Sequence, residues 1–194
     1  MTDSGKTTPQ LTERVAGALT RRGLILTTAE SCTGGNLAVA LCAQENTAAF
    51  YDIGTIVFSD SAKRRLLGVR ASTLEHFTAV SGQAVSEMSV GALERAGADI
   101  SIAISGYAGP DGGEDGTPAG TVWFAWNFRG QIYTERLLFS GPCQEVVEKA
   151  VRYSLGRAAG EAGGMGARVT ACSLWRPGGS RVSCAGPPAA VRRG

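Results

Sequence analysis

Three segments of this sequence combine reactive side chains with tight-turn residues in a way that is typical of ligand sites. Residues 30–35 read Glu-Ser-Cys-Thr-Gly-Gly, residues 58–63 read Phe-Ser-Asp-Ser-Ala-Lys, and residues 105–113 read Ser-Gly-Tyr-Ala-Gly-Pro-Asp-Gly-Gly. Each follows an apolar run of strand type, and ligands of open α/β sheets bind beyond the carboxyl ends of the parallel strands. We therefore expect the functional site where these segments meet.

Ser31 is a candidate nucleophile. It stands between a strand and a helix, where a hydroxyl meets free backbone N–H groups that can hold an anion or a developing oxyanion. A plain capping role explains the same pattern: Ser31 or Thr33 would cap the helix, and Gly34 and Gly35 would make the turn. The motif alone leaves both interpretations open.

A serine nucleophile needs a base, and Lys63 is the most economical candidate because it follows another strand. The single histidine, His76, lies in a segment of surface character. Lys63 could accept a proton near neutral pH only if burial or a nearby cation lowered its pKa. The alternative is a solvated helix position, since Lys63 begins the basic run Lys-Arg-Arg.

The segment 106–113 has four glycines in eight residues, a density that lets the backbone approach a phosphate or a sugar closely. A long turn with no ligand has the same composition. Both readings stay open for this loop.

The cysteines do not indicate a metal or a thiol site. Cys32 neighbours Ser31, but no histidine or other thiolate-stabilising partner accompanies it, so a small buried residue is favoured for Cys32 and for Cys42. The five cysteines form no C-x-x-C pair and the chain has one histidine, which excludes a histidine-rich metal centre.

Strand-like and helix-like segments alternate along the chain, with a hairpin signal at Arg129-Gly130. This order predicts an α/β fold: a three-layer α/β/α sandwich with a partly parallel sheet and antiparallel edge strands. The predicted helices are 10–22, the stretch from the turn after Gly35 to residue 43, 60–67, 81–95 and 144–155. Asp60 and Ser81 are the predicted N-caps of the third and fourth of these helices, and Gly68 is predicted to end the third. The predicted strands are 24–28, 54–58, 100–104, 121–128 and 132–139.

Residues 1–160 have the composition of one domain, whereas residues 161–194 differ in kind. Of these 34 residues, 16 are Gly, Ala or Pro and five are Arg. Such a segment buries too little apolar surface to offset the entropy of ordering, so we expect a disordered tail.

Several features favour the cytoplasm and no membrane contact. The cysteine count is odd, residues 1–10 are polar, and the sequence has no apolar run near 18 residues. The sequence does not decide between a monomer and a homo-oligomer.

Taken together, the motifs resemble the CinA C-terminal family (competence/damage-inducible CinA-like proteins). The matching blocks occur in the family's order across about residues 10–157. They are Thr-Ala-Glu-Ser-Cys-Thr-Gly-Gly at 28–35, Ser-Ala-Lys at 61–63, Leu-Gly-Val at 67–69, Ala-Val-Ser at 79–81, the loop 105–113, Thr-Pro-Ala-Gly-Thr-Val at 117–122 and Phe-Ser-Gly at 139–141.

Several members of that family are nicotinamide mononucleotide deamidases. The resemblance therefore implies an amidohydrolase in which the pair Ser31 and Lys63 hydrolyses a carboxamide to a carboxylate and ammonia. It also implies a small nucleotide as substrate and neither a metal nor a cofactor. The residues that the resemblance and the motifs assign to substrate binding are Glu30, Cys32, Thr33, Gly34, Gly35, Thr47, Phe58, Ser105, Gly106, Gly109, Gly112 and Gly113.

Some positions depart from the family pattern. This set of changes resembles a divergent, paralogous branch of the family. Phe58 stands where the family usually has a tyrosine, and Thr47-Ala48 replaces a pair of serines. Ser105 replaces a threonine and residues 117–120 replace Lys-Pro-x-Gly. Cys143 replaces an arginine, the natural bidentate partner of a 5′-phosphate, and losing such a contact costs about 1.5 to 3 kcal/mol.

Two alternatives to a deamidase remain. A weak or inactive relative would keep the pocket and bind a nucleotide-like ligand without turnover. The basic tail, with five arginines and Trp175, could contact nucleic acid, but the sequence does not favour this.

Overall fold

The computed structural model describes residues 5–164, in which one five-stranded sheet lies between two layers of helices. In chain order the elements are α1 (Thr8–Thr20), β1 (Leu26–Glu30), α2 (Asn36–Cys42), a 3₁₀ turn (Thr47–Ala49), β2 (Tyr51–Ile56), α3 (Asp60–Leu67), α4 (Ala71–Phe77), α5 (Gly82–Ala96), β3 (Ile100–Gly106), β4 (Thr121–Phe128), β5 (Gln131–Leu138) and α6 (Cys143–Gly164).

The strand order is β2-β1-β3-β4-β5. The strands β2, β1 and β3 are parallel, and β4 and β5 are each antiparallel to the preceding strand in this order. In the β4–β5 turn both Arg129 (φ 50°) and Gly130 (φ 95°) have positive φ, as a two-residue hairpin of matching twist requires. The predicted α/β/α class and the hairpin are confirmed.

Alternate residues of the strands contribute side chains to two separate hydrophobic cores, one on each face of the sheet. On one face Ile102, Phe124 and Trp126 pack with α1, α2 and α6, and the Trp126 indole N–H donates to the Ser154 carbonyl at 3.0 Å. On the other face Ala29 and Ala103 pack with α3 and α5. These small residues let α5 lie close to the centre of the sheet.

Four of the five strands end one or two residues away from the predicted positions, and the shifts of β1 and β2 concern the site. The strand β1 extends to Glu30 because both of its neighbours pair with it along its length, so Glu30 is a buried strand residue. The strand β2 is Tyr51–Ile56 rather than 54–58, which leaves Phe58 beyond the strand.

The helices also differ from the prediction in their ends. The helix α1 begins earlier because Thr7 and Gln10 form a capping box. At α3 the cap is Ser59, whose Oγ accepts from the Ala62 amide at 3.1 Å, and not Asp60 as expected. Ser81 caps α5 as predicted, and α4 is an additional helix.

The last helix continues past the expected domain boundary at residue 160 to Gly164. Residues 165–194, which hold most of the predicted tail, lie outside the described residues. Between residues 5 and 164 no helix is both long and apolar enough to cross a membrane.

Candidate active site

The side chains of Ser31 and Lys63 meet at the carboxyl end of the parallel strands. Ser31 directly follows β1, and Lys63 lies on α3, which follows the neighbouring strand β2. Lys63 Nζ donates to Ser31 Oγ at 3.0 Å. Their positions after adjacent strands predict this juxtaposition, and the structure shows it.

Lys63 is a buried lysine rather than the solvated one that the basic run suggests. It is 1% exposed, and Nζ also donates to the carbonyls of Val57 at 3.1 Å and Phe58 at 2.9 Å. Among the described residues no carboxylate forms a salt bridge with it. Burial lowers the pKa of Lys63, and the negative charge of Asp60 opposes that effect.

Ser31 is fixed by backbone contacts and does not cap α2. Its N–H donates to the Ile104 carbonyl at 2.9 Å, and its own carbonyl accepts from the Gly34 amide at 3.1 Å. The N-cap position of α2 is Gly35, with φ 97° and no side-chain cap. The hydroxyl is therefore free of the capping role that the motif allowed.

Glu30, predicted to contact the substrate, supports the turn from inside, and its carboxylate is held by the protein's own donors. It is 1% exposed, and its carboxylate accepts from the amides of Gly35 (3.1 Å), Leu37 (3.1 Å) and Ala38 (2.8 Å). It also accepts from Thr33 Oγ1 at 2.7 Å, so Thr33 is occupied as well. A carboxylate at a helix N-terminus is stabilised by these otherwise unpaired donors.

The expected anion site at the start of α2 is therefore filled by the protein's own carboxylate. The Gly35 amide cannot also hold a phosphate or an oxyanion while it donates to Glu30. By contrast, the amides of Cys32 and Thr33 donate to no other residue in the described part of the chain. These two N–H groups, next to Ser31, are the available donors.

The thiol of Cys32 is a poor rival to the Ser31 hydroxyl. Burial raises the pKa of Cys32 to about 12, so the reactive thiolate is scarce. Cys42 is exposed, which corrects the expectation of a core position.

Two other predicted binding residues do not present their side chains to the dyad. Thr47 Oγ1 donates to the Gln44 carbonyl at 2.6 Å. Thr47 follows α2 and precedes β2, so it lies at the amino-terminal edge of the parallel strands, opposite the dyad. The Phe58 ring is 78% exposed, and its contribution to the site is the carbonyl that accepts from Lys63.

The glycine-rich loop after β3 is packed against itself. The Ser105 hydroxyl donates to the Ala79 carbonyl at 2.7 Å. A Cβ on Gly106 would collide with the backbone of β4, and one on Gly112 would collide with residues 117–119. Gly109 has φ 111°, a backbone conformation that residues with a side chain rarely adopt. Chain packing therefore explains much of the glycine content that suggested a ligand.

Sequence reasoning assigned no role to Tyr107 within this loop or to Thr78. The Tyr107 ring lies against Gly113, and burial raises the pKa of its hydroxyl. Thr78 has φ 65°, which is rare for a β-branched residue, and its carbonyl accepts from Ser81 Oγ at 3.0 Å. The threonine itself gives no signal of such a backbone.

In the part of the chain that the structure describes, no group of three or more His, Cys, Asp or Glu residues could hold a metal ion. The chemistry of the site must be argued from the serine, the lysine and the backbone.

Comparison with known proteins identifies the family to which the chain belongs. Residues 8–160 match the model of the CinA C-terminal domain. The chain belongs to this family. Among curated relatives, protein YdeJ of Escherichia coli K12 is 54% identical over 149 residues, which is 77% of this chain and 87% of the relative. Nicotinamide-nucleotide amidohydrolase PncC of the same organism is 46% identical over 147 residues, 75% of this chain and 89% of the relative.

Solved structures of the family share the fold. The competence damage-inducible protein A from Klebsiella pneumoniae superposes with a TM-score of 0.81 at 64% identity, covering 81% of this chain and 98% of that one. A CinA superfamily protein from Escherichia coli gives a TM-score of 0.78 at 51% identity, covering 84% and 92%.

Proposed function

We propose that this CinA-family chain is an amidohydrolase of the nicotinamide mononucleotide deamidase type, which converts a carboxamide to a carboxylate and ammonia. Relatives at 46% identity bear the name of that activity. The observation that carries the proposal is the 3.0 Å contact between Ser31 Oγ and a lysine that is buried without a carboxylate partner. Burial favours the neutral amine that a general base must be.

In the proposed first half-reaction, Ser31 Oγ attacks the carboxamide carbon as its proton moves to Lys63 Nζ. The new C–O bond gives a tetrahedral intermediate. Lys63 then returns the proton to the amide nitrogen, the C–N bond breaks, and ammonia leaves an acyl ester on Ser31. In the second half-reaction Lys63 takes a proton from water as the water oxygen attacks the ester carbon. The bond to Ser31 Oγ then breaks, the acid leaves, and Lys63 returns the proton to Ser31 Oγ.

The amides of Cys32 and Thr33 are the proposed donors to the oxyanion of both intermediates. They follow the nucleophile directly and have no other acceptor among the described residues. Glu30 keeps them in place because its carboxylate holds both the Thr33 hydroxyl and the start of α2.

The proposal is tested by measuring ammonia release from nicotinamide mononucleotide and, separately, from the same compound without its phosphate. We expect turnover of at least one of them, lost by about a thousandfold or more in Ser31→Ala and in Lys63→Met, because removing a member of such a pair disables both. The matched control is Ser61→Ala, which changes an exposed serine of the same helix as Lys63.

Failure of the wild-type protein to release ammonia from either amide would contradict the proposal. Undiminished turnover in Ser31→Ala would contradict the assigned nucleophile. Ligand-induced thermal stabilisation without any turnover would support the alternative of a binding protein that has lost the reaction.

A further inference from the structure

The Lys63 amine has three polar neighbours, and one of them differs from the other two in what it can do. Nζ lies 3.1 Å from the Val57 carbonyl and 2.9 Å from the Phe58 carbonyl, and carbonyls only accept. The third neighbour, Ser31 Oγ at 3.0 Å, is a hydroxyl that can also donate. A neutral amine has two hydrogens and one lone pair. The two hydrogens therefore match the carbonyls, and the lone pair matches the Ser31 hydroxyl.

The same three contacts also satisfy the protonated amine. An ammonium group has three hydrogens, and the two carbonyls and Ser31 Oγ supply three acceptors. Transfer of the proton from Ser31 to Lys63 therefore requires no movement of the carbonyls. Dipoles that are already in place when charge develops lower the barrier of the step, because they need no reorganisation.

The two carbonyls are held in place by different contacts. Val57 is fully buried, and its N–H donates to the Glu30 carbonyl at 2.8 Å, so β1 fixes this residue. The Phe58 ring is 78% exposed and gives its backbone little support from packing. The Phe58 carbonyl belongs to the peptide group that joins Phe58 to Ser59. Its direction therefore depends on how Ser59 is held.

Ser59 is held by two hydrogen bonds to α3. Its Oγ accepts from the Ala62 amide at 3.1 Å, and its carbonyl accepts from the backbone N–H of Lys63 at 3.0 Å. One residue thus connects the Phe58 carbonyl to the helical turn that carries the proposed base. The side-chain cap is the contact that a substitution can remove without changing the backbone.

We propose that the carbonyls of Val57 and Phe58 direct the lone pair of Lys63 toward the Ser31 hydroxyl, and that Ser59 is the positioning residue that keeps the Phe58 carbonyl in place. The catalytic consequence of this inference rests on the proposed amidohydrolase function. Ser59 acts through the Phe58 carbonyl and Lys63 and not on the substrate. Without its hydroxyl the turn loosens, water reaches the amine, and the lone pair is no longer directed at Ser31.

The test follows ammonia release by Ser59→Ala and Ser59→Thr across a range of pH. In Ser59→Ala we expect kcat to fall by about tenfold or more with little change in KM, because the base is misplaced and substrate contacts remain. The midpoint of the kcat/KM profile should move to higher pH, since burial is the main cause of the lowered pKa of Lys63 and water reduces it. Ser59→Thr keeps the capping oxygen and should restore both values. An unchanged kcat and midpoint in Ser59→Ala, or equal losses in the two variants, would overturn the proposal.

A second capping serine provides the matched control for loss of stability. Ser81 Oγ accepts from the Ala84 amide at 3.1 Å, which is the same cap at the start of α5. We expect Ser81→Ala to lower the thermal midpoint while kcat and the pH midpoint stay unchanged. Losses in Ser81→Ala equal to those in Ser59→Ala would overturn the proposal. Where Ser59→Ala does not fold, Ser59→Gly replaces it, because glycine at a cap costs little stability and also lacks the oxygen.

Titration of Lys63 by NMR distinguishes this inference from the proposed function. The chain has only three lysines, Lys6, Lys63 and Lys149, so ¹³C-labelled lysine gives few signals, and Lys63→Met assigns the one of interest. We expect the Lys63 signal to titrate at higher pH in Ser59→Ala than in wild type and Ser59→Thr. If this shift occurs but wild type releases no ammonia, the positioning role stands and the hydrolase assignment fails. If wild type releases ammonia and Ser59→Ala titrates and turns over as wild type does, the hydrolase assignment stands and the positioning role fails.

Discussion

The α-carbon of Gly91 in α5 lies against the carbonyl of Leu67, the last residue of α3. A Cβ at residue 91 would overlap this carbonyl, so the two backbones touch where no side chain fits. Because α3 carries Lys63, the packing of α5 helps to set the position of the proposed base.

We expect Gly91→Ala to destabilise the protein by about 1 to 3 kcal/mol, because overpacking forces the helices apart. Its kcat should fall further than the loss of folded protein explains, since α3 shifts relative to Ser31. Denaturant unfolding and active-site-normalised kinetics measure the two effects. In Gly160→Ala, where nothing lies within 4 Å of the added Cβ, we expect a gain of up to about 1 kcal/mol from helix propensity. Equal effects of the two substitutions would contradict this account.

The lowered pKa of Lys63 gives the reaction a definite pH dependence. The base must be neutral, so kcat/KM should rise with pH to a plateau. The midpoint of the rise should lie below the usual lysine pKa of 10.5. A rate that falls with increasing pH, or a midpoint at the usual value, would contradict the assigned role.

The same group makes stability depend on pH. The unfolded chain keeps the ordinary lysine pKa while the folded chain has a lower one, so the unfolded state binds more protons between the two values. The free energy of unfolding therefore increases with pH between these two pKa values. Urea titrations of wild type and Lys63→Met should show the wild type improving relative to the variant as pH rises, and a constant difference would be inconsistent with the buried amine.

Replacing Glu30 by glutamine should loosen the turn that carries Ser31. The amide NH₂ cannot accept, so part of the four-donor cluster loses its partner, at a cost of about 1 to 3 kcal/mol or more. Thermal unfolding and ammonia release measure the effect. Glu13→Gln, on the exposed face of α1, should change stability by less than about 0.5 kcal/mol. Similar values for the two variants would show that Glu30 has no special role.

Cys32→Ala should retain most of the activity, because the proposed mechanism uses the Cys32 amide and not its thiol. A pKa near 12 makes this thiol inert to alkylation at neutral pH, whereas Cys42 and Cys143 are exposed. Peptide mapping after iodoacetamide treatment should find residue 32 unmodified in the native protein. Inactivation that follows modification of Cys32 would favour a thiol nucleophile.

The sequence predicts the larger part of this fold because its signals are local and agree with one another. The capping serine at Ser81, the glycine that ends α3 at Gly68 and the Arg129-Gly130 turn each perform the predicted role. The meeting of Ser31 and Lys63 follows from topology, since side chains after neighbouring parallel strands lie at one edge of a sheet.

The remaining features depend on contacts distant in sequence. Glu30 looks like an exposed turn residue until pairing with β2 and β3 extends β1 and buries it. Thr47 is separated from the site by the length of α2, which composition does not reveal. The positive φ of Thr78 is imposed by its surroundings against the preference of the residue.

The central claim, that Ser31 forms an acyl-enzyme, is tested most directly by partitioning turnover with hydroxylamine. An acyl ester on Ser31 can be attacked by hydroxylamine in place of water, so the protein should produce the hydroxamate of the substrate acid along with the acid itself. We expect hydroxamate in proportion to hydroxylamine concentration with wild type and Ser61→Ala, and none above background with Ser31→Ala. Ammonia release without any hydroxamate, or equal hydroxamate formation by Ser31→Ala, would contradict the claim.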